Sequence, residues 1–406
     1  THTIRGGVRH AFTPGSILLA SYIYSDNEVT SRDTFVDLFG PGAGDLSLSS
    51  DADETSQSGE VQHLFRSDSL DWFGGIVRDV GVTTGAGFFA IDRDQAISRT
   101  TTIVTPPPPA LNSTTLRNPD VKHSNAYAYS YTDLAGDVTL TLGVSGDFYD
   151  EEGDTGAGDI DQVNPKIGIS WDLPVLRGLT LRGAAFRVLK RSLATNQTLE
   201  PTQIAGFNQF FDDLNGTEAW RFGGAADQKF TDSLFGGGAF SYRDLTVPQT
   251  VSTPDGIFRE KRNWEETLGR AYLFWTPHNW VSLRAEYRYE KLDREPASND
   301  TFSRVTTHSV PFGAQFFHPT GLSVQLGATY LNQQGRFLRR GSTIFESGDR
   351  SFWVFDAGIR YRLPKRSGFI SFGVNYFLDE DSGYLASVPE DPRLRPGRCV
   401  FGSLTI

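Results

Sequence analysis

Val281-Ser282-Leu283-Arg284-Ala285-Glu286-Tyr287-Arg288-Tyr289-Glu290 is the stretch on which the fold turns. Apolar and polar side chains alternate through it without a break. A period of two places one set on each face of an extended strand, whereas a helix would need apolar residues three and four apart. The same alternation recurs in Val138, Leu140, Leu142 and Val144, in Leu322, Val324, Leu326, Ala328 and Tyr330, and in Trp353, Phe355, Ala357, Ile359 and Tyr361. The chain reads as a long series of strands, each burying one face in an apolar environment.

Composition narrows what that environment is. Of 406 residues, 38% are hydrophobic and 13% aromatic, and the formal net charge is −11. No apolar run approaches the roughly 18 residues of a membrane helix, so a helical membrane protein is excluded. A strand wall is not, because only alternate residues need to face lipid. The richest proline stretch, Thr105 to Pro109, sits inside the series of strands, so residues 1–406 read as one domain. Net acidity argues against nucleic acid, whose partners present a basic face. A single cysteine, Cys399, excludes a disulfide framework and a cysteine metal site.

Connections alternate in length. Short ones include Thr13-Pro14-Gly15, Leu134 to Asp137, Thr276 to Asn279, His318 to Gly321 and Pro364 to Ser367. Long polar ones run from about Asp26 to Ser58, Asp150 to Val163, Leu189 to Thr217, Val247 to Lys261 and Leu378 to Arg398. Short turns on one side and long loops on the other are the habit of outer-membrane barrels. Aromatic residues crowd strand ends, as in Tyr22, Tyr24, Phe274-Trp275, Trp280 and Phe316-Phe317, which suits girdles at two membrane interfaces. A soluble β-sandwich would have more even loops.

The expectation is an all-β, large antiparallel transmembrane β-barrel with about 17 strands in this chain. They span 2–11, 16–25, 58–67, 81–92, 120–132, 137–149, 164–172, 178–188, 218–229, 233–245, 262–275, 280–292, 304–317, 321–333, 350–363, 367–377 and 398–406. Arg93 to Val104 extends a hairpin beyond the membrane. With short turns in the periplasm, the first strand starts outside and the last ends inside. A closed barrel with both ends in the periplasm then requires an odd number of strands before Thr1, giving about 18–22 in all.

The phrase Gly368-Phe369-Ile370-Ser371-Phe372-Gly373-Val374-Asn375-Tyr376-Phe377-Leu378-Asp379-Glu380 resembles the penultimate strand of TonB-dependent outer-membrane receptors, and Pro396-Gly397-Arg398-Cys399-Val400-Phe401 resembles their closing strand. Leu199-Glu200-Pro201-Thr202-Gln203, Phe207 to Asp213 and Glu218-Ala219-Trp220 are similar to barrels fused to tetratricopeptide repeats. The resemblance covers residues 120–406 well and the first hundred weakly. It implies a channel or transporter moving a solute or polymer across an outer membrane, with a plug or repeat region upstream that engages a periplasmic partner. The chain itself shows no plug or TonB box, and it ends in Thr405-Ile406 where the family has an aromatic residue.

Candidate functional residues follow from the strand register. Arg182, Arg284, Glu286, Arg288, Glu290, Arg360 and Arg362 fall on the polar faces. They line a passage and set its charge preference, or they pair across strands and stiffen a wet wall. Phe207, Phe210 and Phe211, in the long segment after Leu189, either fold inward as a constriction or ligand contact or pack a hairpin above the membrane. The acidic run Asp150-Glu151-Glu152-Gly153-Asp154 lacks EF-hand spacing and reads as a solvated loop rather than a calcium site. The seven histidines show no metal-ligand pairing, and Gly85-Ala86-Gly87 and Gly236-Gly237-Gly238 lie in strands with no phosphate-cradling helix after them. Neither a catalytic site, nor a metal, nor a cofactor is expected. The partners are outer-membrane lipid and lipopolysaccharide. A non-transporting anchor for a periplasmic or surface assembly is the alternative function.

Overall fold

The computed structural model describes residues 1–35, 44–67, 74–103, 110–117, 120–152, 158–191, 193, 197–253, 256–295, 302–338, 345–378 and 398–405. The strands are β1 (His2–Thr13), β2 (Ser16–Phe35), β3 (Gly44–Ser67), β4 (Val77–Ile103), β5 (Ala110–Arg117), β6 (Asp120–Leu134) and β7 (Val138–Glu152). They continue as β8 (Ile160–Asp172), β9 (Leu179–Leu189), β10 (Gln203–Ile204), β11 (Phe207–Asn208), β12 (Glu218–Lys229) and β13 (Leu234–Thr253). The remainder are β14 (Gly256–His278), β15 (Val281–Arg294), β16 (Phe302–Phe317), β17 (Leu322–Leu338), β18 (Phe345–Arg362), β19 (Phe369–Asn375) and β20 (Cys399–Thr405).

All but β10 and β11 belong to one 18-stranded sheet, and every pairing in it is antiparallel. Neighbours in the wall are neighbours in sequence, except that β9 meets β12 across the β10–β11 segment and β5 pairs only with the far end of β4. This is the wall of a large transmembrane barrel. Each of the 17 expected strands has its counterpart here. Among the described residues β1 pairs only with β2 and β20 only with β19.

The two faces differ as the alternation requires. Leu142, Val144, Phe148, Val163, Ile167, Leu273, Leu326 and Ile359 stand exposed on the outer face. The opposite face is polar and carries the segment between β9 and β12. Outer aromatics gather at two heights. Trp171, Trp275, Phe316 and Tyr361 lie toward the short turns, and Phe148, Trp220, Tyr287 and Trp353 toward the long connections. The indole of Trp171 donates to the Gly136 carbonyl at 3.1 Å, keeping one edge of the ring in the polar layer.

Two differences from the sequence reading have a common cause. Much of 26–58 and 247–261, expected as loops, is strand: β2 reaches Phe35, β3 starts at Gly44, and β13 and β14 run to Thr253 and from Gly256. Likewise β4 continues to Ile103, in line with the expected extension, and β8 begins at Ile160, inside the expected acidic loop. Ladder pairing holds these extensions beyond the apolar band, where the β2–β3 hairpin past Asp26 needs no apolar row, while Ile160 and Val247 pack into small buried clusters of their own. The tip of the acidic run, 153–157, and residues 379–397 lie outside the described residues.

A charge on the outer face should therefore be costly where the same charge across the wall is not. For Leu326→Lys, urea unfolding of the barrel in lipid vesicles should show a loss of about 2–4 kcal/mol. The neighbouring Gln325→Lys should change stability by less than about 1 kcal/mol, its side chain lying on the wet face.

Candidate functional site

The segment joining β9 to β12 folds back into the barrel. Its mouth is closed by backbone bonds, Lys190 N–H to the Thr217 carbonyl at 2.8 Å and Gly216 N–H to the Lys190 carbonyl at 2.9 Å. Its tip is the β10–β11 hairpin, turned by Ala205 (φ 44°) and Gly206 (φ 83°). Two successive positive φ values make the tight reversal that pairs Ile204 with Phe207. A Cβ at Gly206 would also meet the Arg182 guanidinium, the flexible end of a side chain that would have to shift. Arg182 in turn donates to the Ala205 carbonyl at 3.2 Å. It lies near the short-turn end of β9, eight residues from Lys190, so the tip descends about 26 Å of strand length.

Absent side chains on the wall make room for it. Built Cβ atoms at Gly168 and Gly223 would meet Ile204 at 2.7 Å and the Phe207 ring at 2.5 Å. Around these two knobs Tyr127, Tyr129, Ala184 and Phe186 complete a buried apolar cluster. Here the sequence rule inverts: on β6 the inner row is Tyr127, Tyr129 and Tyr131, and the outer row Ala126, Ala128 and Ser130. The large residues face inward because a polypeptide, not water, lies against them.

Charge fixes the segment above that cluster. Glu200 and Arg191 are each only 4% exposed, and Arg191 Nη2 lies 2.6 Å from Glu200 Oε2. The Tyr129 hydroxyl and the Asn125 amide donate to the same carboxylate at 2.6 and 3.1 Å. Arg191 also lies 3.6 Å from Asp147, which His123 approaches to 2.9 Å. Burial alone would lower the Arg191 guanidinium, and Glu200 and Asp147 more than reverse it, so it is a fixed cation. On the far side Thr198 Oγ1 and Leu199 N–H both donate to Glu60 on β3 at 2.6 Å. The segment thus straps the inner face from β3 to β14.

The three phenylalanines singled out in the sequence are all in this strap. Phe207 is buried, and Phe210 and Phe211 are half-buried. Arginines cover each ring: Arg182 and Arg221 at 5.8 and 5.6 Å from Phe207, Arg191 at 5.5 Å from Phe210, and Arg243 at 3.7 Å from Phe211. Such contacts contribute about 0.5–2 kcal/mol each, more as the cation is desolvated. All three rings thus lie against arginines of the strap and the inner wall.

The seven charged candidates share the strap's face, linked by direct cross-strand pairs. Phe274, Tyr272 and Arg270 stand opposite Arg284, Glu286 and Arg288, and Arg284, Gly313, Gly327 and Asp356 form one row. Tyr272 donates to Asp227, which also pairs with Arg182 at 2.6 Å. Glu286 is buried between Arg270 and Arg288, at 3.2 and 3.0 Å. Arg182, Glu286 and Arg288 are therefore ion-paired. For Arg284, Glu290, Arg360 and Arg362 the described residues provide no ion-pair partner. Glu60, His123, Asp147, Arg191, Glu200, Arg221 and Arg243 were not anticipated as site residues, since their partners are distant in sequence.

No family model matches the sequence, and no curated protein matches it. Solved structures do match its fold. The ferric preacinetobactin receptor BauA of Acinetobacter baumannii superposes with a TM-score of 0.67 at 14% identity, over 99% of this chain and 62% of that one. The ferric-catecholate import receptor Fiu of E. coli K12 gives 0.66 at 13%, over 99% and 63%. The ferripyoverdine receptor of the Pseudomonas aeruginosa outer membrane gives 0.63 at 13%, over 93% and 52%. The chain spans between about half and two thirds of the length of these proteins. What is shared is the barrel.

Breaking the Glu200 anchor should release the strap. Glu200→Ala leaves the Arg191 cation buried against fewer partners, a loss of about 3–5 kcal/mol for a buried pair. Hydrogen exchange at amides 197–213 should accelerate about a hundredfold or more while exchange in β15–β18 stays unchanged. Unchanged exchange in the strap would show that the carboxylate does not hold it.

Proposed function

We propose that this chain forms the larger part of an outer-membrane barrel through which a solute crosses, narrowed by the strap between β9 and β12. The observation that carries this reading is the buried Glu200–Arg191 pair on the inner wall. Two charges are withdrawn from water only where an ordered structure repays their desolvation, so the strap is a built part of the interior. The outer apolar band and its two aromatic girdles support placement in a bacterial outer membrane, against lipid and lipopolysaccharide. The receptors and importers that share the fold support passage over catalysis.

The unpaired edges of β1 and β20 support a wall completed by strands beyond those described. An open edge in a bilayer leaves backbone groups unsatisfied at several kcal/mol each. The similarity of 199–220 to repeat-fused barrels favours an upstream region that engages a periplasmic partner, and with it polymer export as a form of the same passage. The second reading, a non-transporting anchor, draws on the same strap, which covers the inner face from β3 to β14.

Conductance separates the two. In planar bilayers, the full-length protein with residues 197–213 replaced by a short Gly-Ser link should conduct several times more than the unaltered protein. Equal conductance would remove the constriction, and no conductance from either protein would favour the anchor.

A further inference from the structure

The strap divides the inner face. Its described contacts lie on β3, β6, β7, β8, β9, β12, β13 and β14. Among the described residues none of these contacts falls on β15–β19, whose inner rows are buried toward the long connections, as at Arg294, Thr307 and Gln333, and exposed toward the short turns, where their charges are unequal. Glu286 serves both Arg270 and Arg288, leaving one positive charge in excess. Arg284, Arg360 and Arg362 follow toward the short turns, exposed and without a carboxylate partner among the described residues. Their counterweight is small: Asp356 accepts from the Tyr376 amide at 3.2 Å, and Glu290 lies higher on β15. In a chain of net charge −11, this is a local reversal of sign.

Beside Arg360 the face is hollowed. A depression of about 180 Å³ lies over Gly358 and Gly373, with Gln315, Gln325, Ser371 and Arg360 on its polar side and Phe317 and Phe401 on its apolar side. Gln315, Gln325 and Gly358 form one cross-strand row, and Arg360 stands opposite Ser371 on β19. A guanidinium flanked by amide and hydroxyl donors is the chemistry that recognises an oxyanion. The volume accommodates a carboxylate or phosphate group with a few attached atoms.

We infer that the open path runs along β15–β19 and takes anionic solutes, which bind transiently by a carboxylate or phosphate-type group at Arg360 between Arg284 and Arg362. Several cations in series, rather than one enclosing cage, suit passage: the anion is drawn in but held weakly enough to leave. The inference rests on the proposed passage, and its test distinguishes a failure of either.

The full-length protein carrying Cys399→Ser and Gln325→Cys is treated, in lipid vesicles, with an anionic and a cationic thiosulfonate of similar size. Rates are normalised to a free thiol. The anionic reagent should react about tenfold faster, the scale of steering in a low-dielectric cleft. Adding Arg284→Gln, Arg360→Gln and Arg362→Gln should bring the ratio close to one, and inorganic phosphate should slow the anionic reagent only while the arginines are present. Equal rates before that change would overturn the anion preference and leave the passage standing. An unchanged preference after it would take the role from these arginines. No reaction with either reagent, in protein whose thiol reacts once unfolded, would overturn the open path itself.

Discussion

A backbone inside a bilayer finds no water to bond, so every amide and carbonyl must be satisfied by another strand. That constraint orders the rest of the molecule. It requires a continuous antiparallel ladder, and the ladder fixes a period of two, because successive side chains must point to opposite sides. One row then meets lipid and the other meets whatever fills the interior. The outer row carries Leu283, Leu326 and Ile359, and the inner row carries Arg284, Gln325 and Arg360, each one residue away. The turn pattern obeys the same rule, with short reversals where little chain lies beyond the membrane and extended hairpins on the opposite side.

The strap shows how such a wall accommodates protein inside it. Inner-row glycines open holes at Gly168 and Gly223, and Ile204 and Phe207 enter them. Around the holes the inner row is tyrosine and phenylalanine, and above them it is charged, with Asp147, Arg191, Glu200 and Arg243 in ion pairs. Burial of Glu200 and Arg191 is tolerable because each finds several partners, two of them neutral donors from β6. Among the described residues no strap contact falls on β15–β19, and Arg284, Arg360 and Arg362 stay exposed there.

Much of this was legible in residues such as Val281–Glu290, where the two environments differ so strongly that the alternation cannot be mistaken. The hairpin of β2 and β3 beyond Asp26 gives no strand signal in the sequence, because strands with water on both sides carry no apolar row. The strap's anchoring was not legible either: Glu60 and Leu199 are 139 residues apart, and Tyr129 and Glu200 71 apart. A signal was nonetheless present in β6, whose alternation places tyrosines on the face that elsewhere is polar and alanine and serine on the face that elsewhere is greasy. Reading that inversion as a mark of something packed inside would have located the strap.

β15 divides two media, and the division can be read residue by residue. Single nitroxide labels at 283 through 288, introduced one at a time in the Cys399→Ser background and placed in lipid vesicles, report contact with lipid-soluble oxygen and with a water-soluble nickel chelate. Oxygen contact should peak at 283, 285 and 287 and nickel contact at 284, 286 and 288. A uniform profile, or one repeating every three to four residues, would contradict the account.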